Sequence, residues 1–107
     1  MVQTLIVARM NPANADAVAA VFAESDASGL PQLIGVRRRT LFAFHDLYLH
    51  LMESEDQVPG RLREVGNDQR WRDVNEGLRG HIAPYDPQTW RSPSDAMAQE
   101  FYTWRAA

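Results

Sequence analysis

A strand pattern that folds back on itself constrains this chain most. From Phe42 to Leu51 apolar residues alternate with others at every second position, and His45-Asp46 is the one polar break. That period belongs to a β-strand whose side chains point alternately to its two sides. A tight turn at His45-Asp46 makes the run a hairpin, although the pair lacks the Gly or Asn of the commonest two-residue turns. Folding back there pairs Phe44 with Leu47, Phe42 with Leu49 and Leu41 with His50. Phe42, Phe44, Leu47, Leu49 and Leu51 then share one face, and Arg37, Arg39, Tyr48, His50 and Met52 share the other. On that second face a guanidinium and an imidazole become diagonal neighbours beside an aromatic ring, the makings of a site rather than a solvated surface.

The flanking segments supply the other elements. Val2 to Met10 is filled with β-branched and aliphatic residues and stops at Asn11-Pro12, which predicts a first strand. Asn11 or Asn14 caps a helix carrying Ala17, Val18, Val21 and Phe22, which fails around 25–29 ahead of Pro31. The hairpin strands span roughly 34–44 and 47–54. A second helical region carries Val58, Leu62 and Val65, breaks at Gly66-Asn67-Asp68, and resumes with Trp71, Val74, Leu78 and Ile82. Asp68 or Asn67 caps its second half. A loop over 84–94 holds three prolines and Trp90, and Phe101-Tyr102-Thr103-Trp104 forms the core of a short last strand over 100–105.

The expected order is therefore β-α-β-β-α-β. Right-handed crossovers put both helices on one face of an antiparallel sheet, the α+β, ferredoxin-like arrangement. The other face carries the five apolar hairpin residues. Burying each contributes about 1.5–3 kcal/mol, and together they make a larger patch than monomers usually expose. A homodimer with two sheets packed face to face, a dimeric α+β barrel, is the expected solution. At 107 residues the whole chain, 1–107, is one domain.

Composition narrows the function. A net charge of −3 argues against binding a phosphate backbone, so no nucleic-acid partner is expected. No apolar run approaches a membrane span, and the N-terminus has no signal pattern, so a cytoplasmic protein without membrane contact is expected. Cysteine and lysine are both absent, which removes thiolate nucleophiles, cysteine-ligated metals and lysine Schiff-base chemistry. His45, His50 and His81 lack helical metal-site spacing, no Gly-rich phosphate loop occurs, and Ser25 has no nucleophile elbow. No metal or cofactor is expected.

Ser25-Asp26, Leu30-Pro31, Ile34-Gly35-Val36-Arg37-Arg38-Arg39 and Phe42 through Leu51 together resemble the aromatic polyketide cyclases of the tetracenomycin F2 cyclase type. Asn75-Glu76, Pro84-Tyr85 and Phe101-Tyr102-Thr103-Trp104 extend the resemblance over nearly the whole chain. It implies a cofactor-free dimeric enzyme that guides late ring closure of a polycyclic aromatic polyketide by intramolecular aldol condensation, with dehydration and aromatisation. It also implies a catalytic set of Asp26, Arg39 and His50. One departure is visible: family members commonly carry His-Asp where this chain has Ser25-Asp26.

The residue types suit that chemistry. His50 has the side chain whose ordinary pKa lies nearest neutrality, as a general base or acid requires. Arg39 is permanently charged and offers a fixed fork of donors to enolate or alkoxide oxygen. Asp26 has three available roles: orienting His50, pairing with Arg39, or accepting a proton. Tyr48, Met52, Trp71 and Trp90 supply walls for a flat substrate, with Ser25 and Arg37 as further binding candidates. Plainer roles stand beside these. Arg39 bridges to Asp26 or Glu53, His50 is structural, Ser25 belongs to a helix-terminal turn, Trp71 belongs to a core stripe, and His81 caps a helix end. Two other functions fit the same elements: a cofactor-independent monooxygenase of a polycyclic phenol, and a non-catalytic polyketide-binding dimer. Face parity then sets the expected pocket between sheet and helices, with Asp26, Arg39 and His50 at its polar end.

Overall fold

In the computed structural model, which describes residues 2–55 and 64–106, the hairpin forms where the alternation sets it. Strands β2 (Val36–Phe44) and β3 (Leu47–Ser54) run antiparallel. Phe44 faces Leu47, Phe42 faces Leu49 and Leu41 faces His50. The turn requires a left-handed residue, and His45 takes it at φ 54°, a conformation in which His is enriched over most residues. Asp46 ties the turn to the neighbouring strand, accepting from Arg9 Nη1 at 2.8 Å through its side chain. Its carbonyl accepts from the Met10 N–H at 2.9 Å.

Strand β1 (Val2–Met10) pairs antiparallel with β3 along nearly its full length, Ile6 opposite His50 and Ala8 opposite Tyr48. A three-residue strand, β4 (Ile82–Pro84), pairs with the other edge of β1 from Ala8 to Met10. The sheet order is β2-β3-β1-β4. The α-helices that position the site are α1 (Ala15–Asp26), α2 (Leu30–Ile34) and α3 (Gln69–Leu78). Asn11 caps a 3-10 turn ahead of α1 by accepting from the Ala13 N–H at 3.0 Å. Asp68 caps α3 by accepting from the Arg70 N–H at 2.9 Å, as its position predicts.

Burial follows the two-residue period. Along β3, Tyr48, His50 and Met52 are buried while Leu47, Leu49 and Leu51 are half-buried. The buried set joins Val18 and Phe22 of α1, Leu30 and Ile34 of α2 and Val74 of α3 in one core. All three helices therefore cover the same face of the sheet. On the opposite face Phe42 and Phe44 are 51% and 61% exposed. Among the described residues no helix is long and apolar enough to cross a membrane.

The structure corrects the sequence reading in four places. Val36 stands opposite Ser54 and Arg38 opposite Glu53, so Arg37 is an extra residue in a β-bulge. The bulge breaks the alternation that grouped Arg37 with Arg39, and Arg37 lies exposed with Nη2 2.7 Å from Glu55. Ahead of β2, residues 30–34 form the short helix α2, so the strand expected to begin at Ile34 begins at Val36. Pro31 lies in its first turn, where a missing N–H costs nothing, and Gly35 closes it at φ 89°.

The third correction is β4. The second helix was expected to run through Ile82, but it ends at Leu78, and Gly80 at φ 85° reverses the chain so that Ile82 meets Met10. The fourth is the expected last strand over 100–105, which pairs with no strand among the described residues. Phe101, Tyr102 and Trp104 are 96%, 70% and 74% exposed. The free edge of β1 is already occupied: β4 takes one end, and Met97-Ala98 takes Ile6 and Leu5, the Ala98 N–H reaching the Leu5 carbonyl at 2.7 Å. Aromatic β-propensity without a ladder to join makes no strand. Val58 and Leu62 of the second helical region lie outside the described residues.

The layer of helices depends on one close approach. A Cβ at Gly77 of α3 would lie 2.9 Å from Cγ1 of Val21 on α1. Because Val21 is β-branched, its side chain has few other rotamers to move into. Gly77→Val should therefore lower stability by about 1–3 kcal/mol through overpacking, read from urea unfolding midpoints. An unchanged midpoint would mean that the α1–α3 contact is looser than this distance implies.

Candidate active site

Between the sheet and the helices lies a cavity of about 560 Å³. Its walls come from every layer of the fold: Ile6 and Ala8 of β1, Tyr48, His50 and Met52 of β3, Phe22 and Ser25 of α1, Leu30 and Ile34 of α2, and Trp71, Val74 and Leu78 of α3. Ile82 to Pro84 and Trp90 close the side toward the β4 loop. The lining is mostly apolar, and of its two guanidinium groups Arg39 is largely buried while Arg79 is exposed and paired with Glu76 at 3.2 Å. A second cleft of about 510 Å³, near Arg9, Asp46 and His81, is more open to solvent. Its two opposite charges already pair with each other at 2.8 Å. The cavity between sheet and helices, the less open of the two and the one with the larger apolar lining, is the better candidate for a binding site.

The polar end of the cavity is a connected network. Arg39 lies on the helix-facing side of β2, and its side chain is only 13% exposed. Its Nε donates to Oδ1 and Oδ2 of Asp26 at 3.1 and 3.3 Å, and Nη2 lies 3.0 Å from Oδ1. Its guanidinium carbon sits 4.6 Å from the centre of the Phe22 ring, a cation–π contact that favours this position further. Nη1 lies 2.8 Å from Nε2 of His50, and Nδ1 of His50 lies 2.9 Å from the Tyr48 hydroxyl. The Phe22 ring also meets the His50 ring edge-on at 5.1 Å.

This setting changes what His50 is. Burial, assisted by the adjacent Arg39 charge, pulls its pKa down from 6.5 to about 3. The imidazole is therefore neutral at any ordinary working pH. Burial also pushes the Tyr48 hydroxyl well above its ordinary value, with Arg39 opposing in part, so it stays protonated. Among the described residues no three of His, Cys, Asp and Glu come together as a metal site would need.

The structure brings Asp26, Arg39 and His50 together as expected. Of the open alternatives for Arg39, it pairs with Asp26, while Glu53 stands opposite Arg38. Tyr48, Met52, Trp71 and Trp90 all line the cavity, so Trp71 is both core stripe and wall. Ser25 lines it too, with a buried Oγ that has no hydrogen-bond partner among the described residues. Arg37 is not part of this group, for the bulge turns it toward Glu55. Asp26 reaches the cavity only through Arg39. His81 sits just past the end of α3, its N–H donating to the Leu78 carbonyl at 3.0 Å. Sequence reasoning missed Phe22 as a site residue, having assigned it to a core stripe. Its i, i+4 spacing to Asp26 on one helix was the available signal.

Three comparisons bear on this geometry. The family model described as polyketide synthesis cyclase matches residues 2–105. An uncharacterized protein of Streptomyces coelicolor is 50% identical over 97% of this chain and 95% of its own length. The tetracenomycin F2 cyclase of Streptomyces glaucescens is 46% identical over 97% of this chain and 94% of its own. A solved structure of tetracenomycin F2 cyclase from Streptomyces glaucescens, described as a type-II polyketide cyclase, superimposes with a TM-score of 0.92 at 45% identity, covering 100% of both chains.

The depressed His50 pKa has a measurable consequence for folding. The unfolded chain takes up a proton at this residue below about pH 6.5, whereas the folded chain resists it until about 3. Stability should fall as the pH drops through that window, by at most about 1.4 kcal/mol per unit, and His50 should contribute no pH dependence above it. Urea unfolding of the wild type and of His50→Gln checks this. The wild type should lose stability more steeply on acidification, and equal slopes would contradict the assignment.

Proposed function

The chain belongs to the polyketide synthesis cyclase family, and from that premise we propose that it is a cyclase of type II aromatic polyketide biosynthesis. Its substrate is a polycyclic intermediate still carrying ketone groups. The reaction is late ring closure by intramolecular aldol condensation, followed by dehydration and aromatisation. The observation that carries this reading is the mostly apolar cavity of about 560 Å³ with a largely buried cation, Arg39, at its polar end. A flat polycycle is mostly hydrocarbon with oxygens along its edge, and this cavity has the same division.

The chemistry asks little of the protein beyond folding and charge control. A hydrogen between two carbonyls is acidic by conjugation, so the enolate forms readily and has to be held in one geometry. In the aldol step one proton leaves carbon, a carbon–carbon bond forms, and the carbonyl π pair moves to oxygen, which gains a proton. Dehydration then releases one water. No oxidant or reductant enters the balance, and we assign no metal or organic cofactor to it. Arg39 has five N–H groups. Nε donates to Asp26, one hydrogen of Nη1 engages His50 and Nη2 lies 3.0 Å from Asp26 Oδ1, which leaves the second hydrogen of Nη1 and one of Nη2 for substrate oxygen. Asp26 holds the guanidinium in that orientation, and Trp71 and Trp90 supply aromatic surface for the rings.

We read the fold as a one-domain, ferredoxin-like unit that works in the cytoplasm as a homodimer, closed by the Phe42, Phe44, Leu47, Leu49 and Leu51 face. The exposure of Phe42 and Phe44 on the side away from the helices supports this, since water-facing aromatics in such a group are rare on monomers. The active-site cavity lies on the other side of the sheet, so pairing through this face leaves it free.

Incubating the pure protein with ketone-bearing polycyclic intermediates, with and without oxygen, and identifying the products tests the activity. Cyclised, dehydrated product should form equally well without oxygen, and Arg39→Ala should slow its formation on the order of 10²-fold or more. Products that appear only with oxygen would instead mark a monooxygenase, and tight binding without turnover would mark a carrier. Analytical ultracentrifugation tests the dimer. The wild type should sediment as a dimer, and Leu49→Arg should dissociate or unfold it by burying an unpaired charge. A wild-type monomer at micromolar concentration would remove this part of the reading.

A further inference from the structure

We propose that the Tyr48 hydroxyl is a catalytic hydrogen-bond donor to the substrate oxygen on which charge develops, and that His50 is the residue positioning it rather than the base. An inventory of hydrogens along the buried network leads there. An arginine side chain has donors only, so the 2.8 Å contact between Arg39 Nη1 and His50 Nε2 requires Nε2 to accept. A neutral imidazole carries a single N–H, which must then be on Nδ1. An imidazolium would set two N–H groups against each other at the same contact. The 2.9 Å contact between Nδ1 and the Tyr48 oxygen therefore runs from the ring to the hydroxyl oxygen. Tyr48's own hydrogen is left over, and no acceptor for it occurs among the described residues.

Tyr48 lines the cavity, so the acceptor for that hydrogen is whatever occupies the cavity. Donation runs in one direction, from Arg39 to His50 to Tyr48 to substrate, with a permanent cation at its origin. Each bond polarises the next. The raised Tyr48 pKa fits a group that donates a hydrogen bond without losing its proton. As the new carbon–carbon bond forms and the carbonyl π pair moves to oxygen, that charge meets two sets of donors: the Tyr48 O–H and the remaining Arg39 N–H groups. The arrangement is that of an oxyanion hole built from side chains. Both His50 nitrogens are engaged, so neither takes a proton from substrate in this geometry.

The substrate half of this inference rests on the cyclase reading; the tautomer does not. Nitrogen-15 NMR of histidine-labelled wild type reads the tautomer without any substrate. His50 should appear as a neutral ring protonated on Nδ1, and a ring protonated on Nε2, or a cation near neutral pH, would overturn the proposal. In turnover, Tyr48→Phe should lower kcat on the order of 10²-fold with KM nearly unchanged. A glutamine at position 50 has an amide oxygen to accept from Arg39 and an amide N–H to donate to Tyr48. His50→Gln should therefore keep activity within about tenfold of wild type, while His50→Phe should be as impaired as Tyr48→Phe. Equal loss in His50→Gln and His50→Phe, or full activity in Tyr48→Phe, would overturn it. A wild type that cyclises no ketone-bearing polycycle would overturn the cyclase reading and the substrate half with it, while the nitrogen resonances still judge His50.

Discussion

The pairing of Arg39 with Asp26 is the contact on which the rest of this structure turns. A guanidinium under a helical layer needs a partner, because an uncompensated buried charge costs several kcal/mol. Asp26 supplies it from the last residue of α1. A carboxylate at a helix C-terminus faces the negative end of the helix dipole, so this position is explained by Arg39 and not by the helix itself. The pair pins the end of α1 to β2. With that end fixed, Phe22 one turn earlier falls against both the guanidinium and the His50 ring. Charge, cation–π contact and hydrogen bonds thus define one end of the cavity, and hydrophobic packing defines the remainder.

The sheet separates two tasks through its two-residue period. The helix-facing residues Tyr48, His50 and Met52 build the cavity, while Leu47, Leu49 and Leu51 point away from it. A one-residue slip at the His45-Asp46 turn would exchange the two faces and carry the imidazole to the wrong side. The Arg9–Asp46 ion pair and the left-handed His45 hold the turn in place. The link from turn to site is therefore mechanical: register fixes parity, and parity fixes which side chains meet.

Those consequences were open to sequence reasoning because the alternation and its single polar break specify register locally. The convergence of Arg39 with His50 followed from parity, and Asp26 was added by family resemblance. What escaped depended on tertiary context. The bulge at Arg37 is one extra residue with no marker in the pattern, and it removes one candidate from the site. β4 is three residues long and is set by Gly80 reversing the chain, so its identity comes from the edge of β1 rather than its own composition. The aromatic run over 100–105 shows the converse, strong strand propensity with no edge to join. His50 is a different case. Its type suggested proton transfer; burial and the Arg39 charge hold the imidazole neutral, and in the donor chain we propose it is a link rather than the base.

The central claim is that a substrate oxygen lies at the Arg39–His50–Tyr48 end of the cavity while the rings fill the apolar remainder. A crystal structure with a polycyclic phenol that mimics the product tests it most directly. The account requires the rings between the sheet and Trp71, with one oxygen within hydrogen-bonding distance of Arg39 or the Tyr48 hydroxyl. A ligand seated in the Arg9–Asp46 cleft, or one that turns only carbon toward Arg39 and Tyr48, would contradict it.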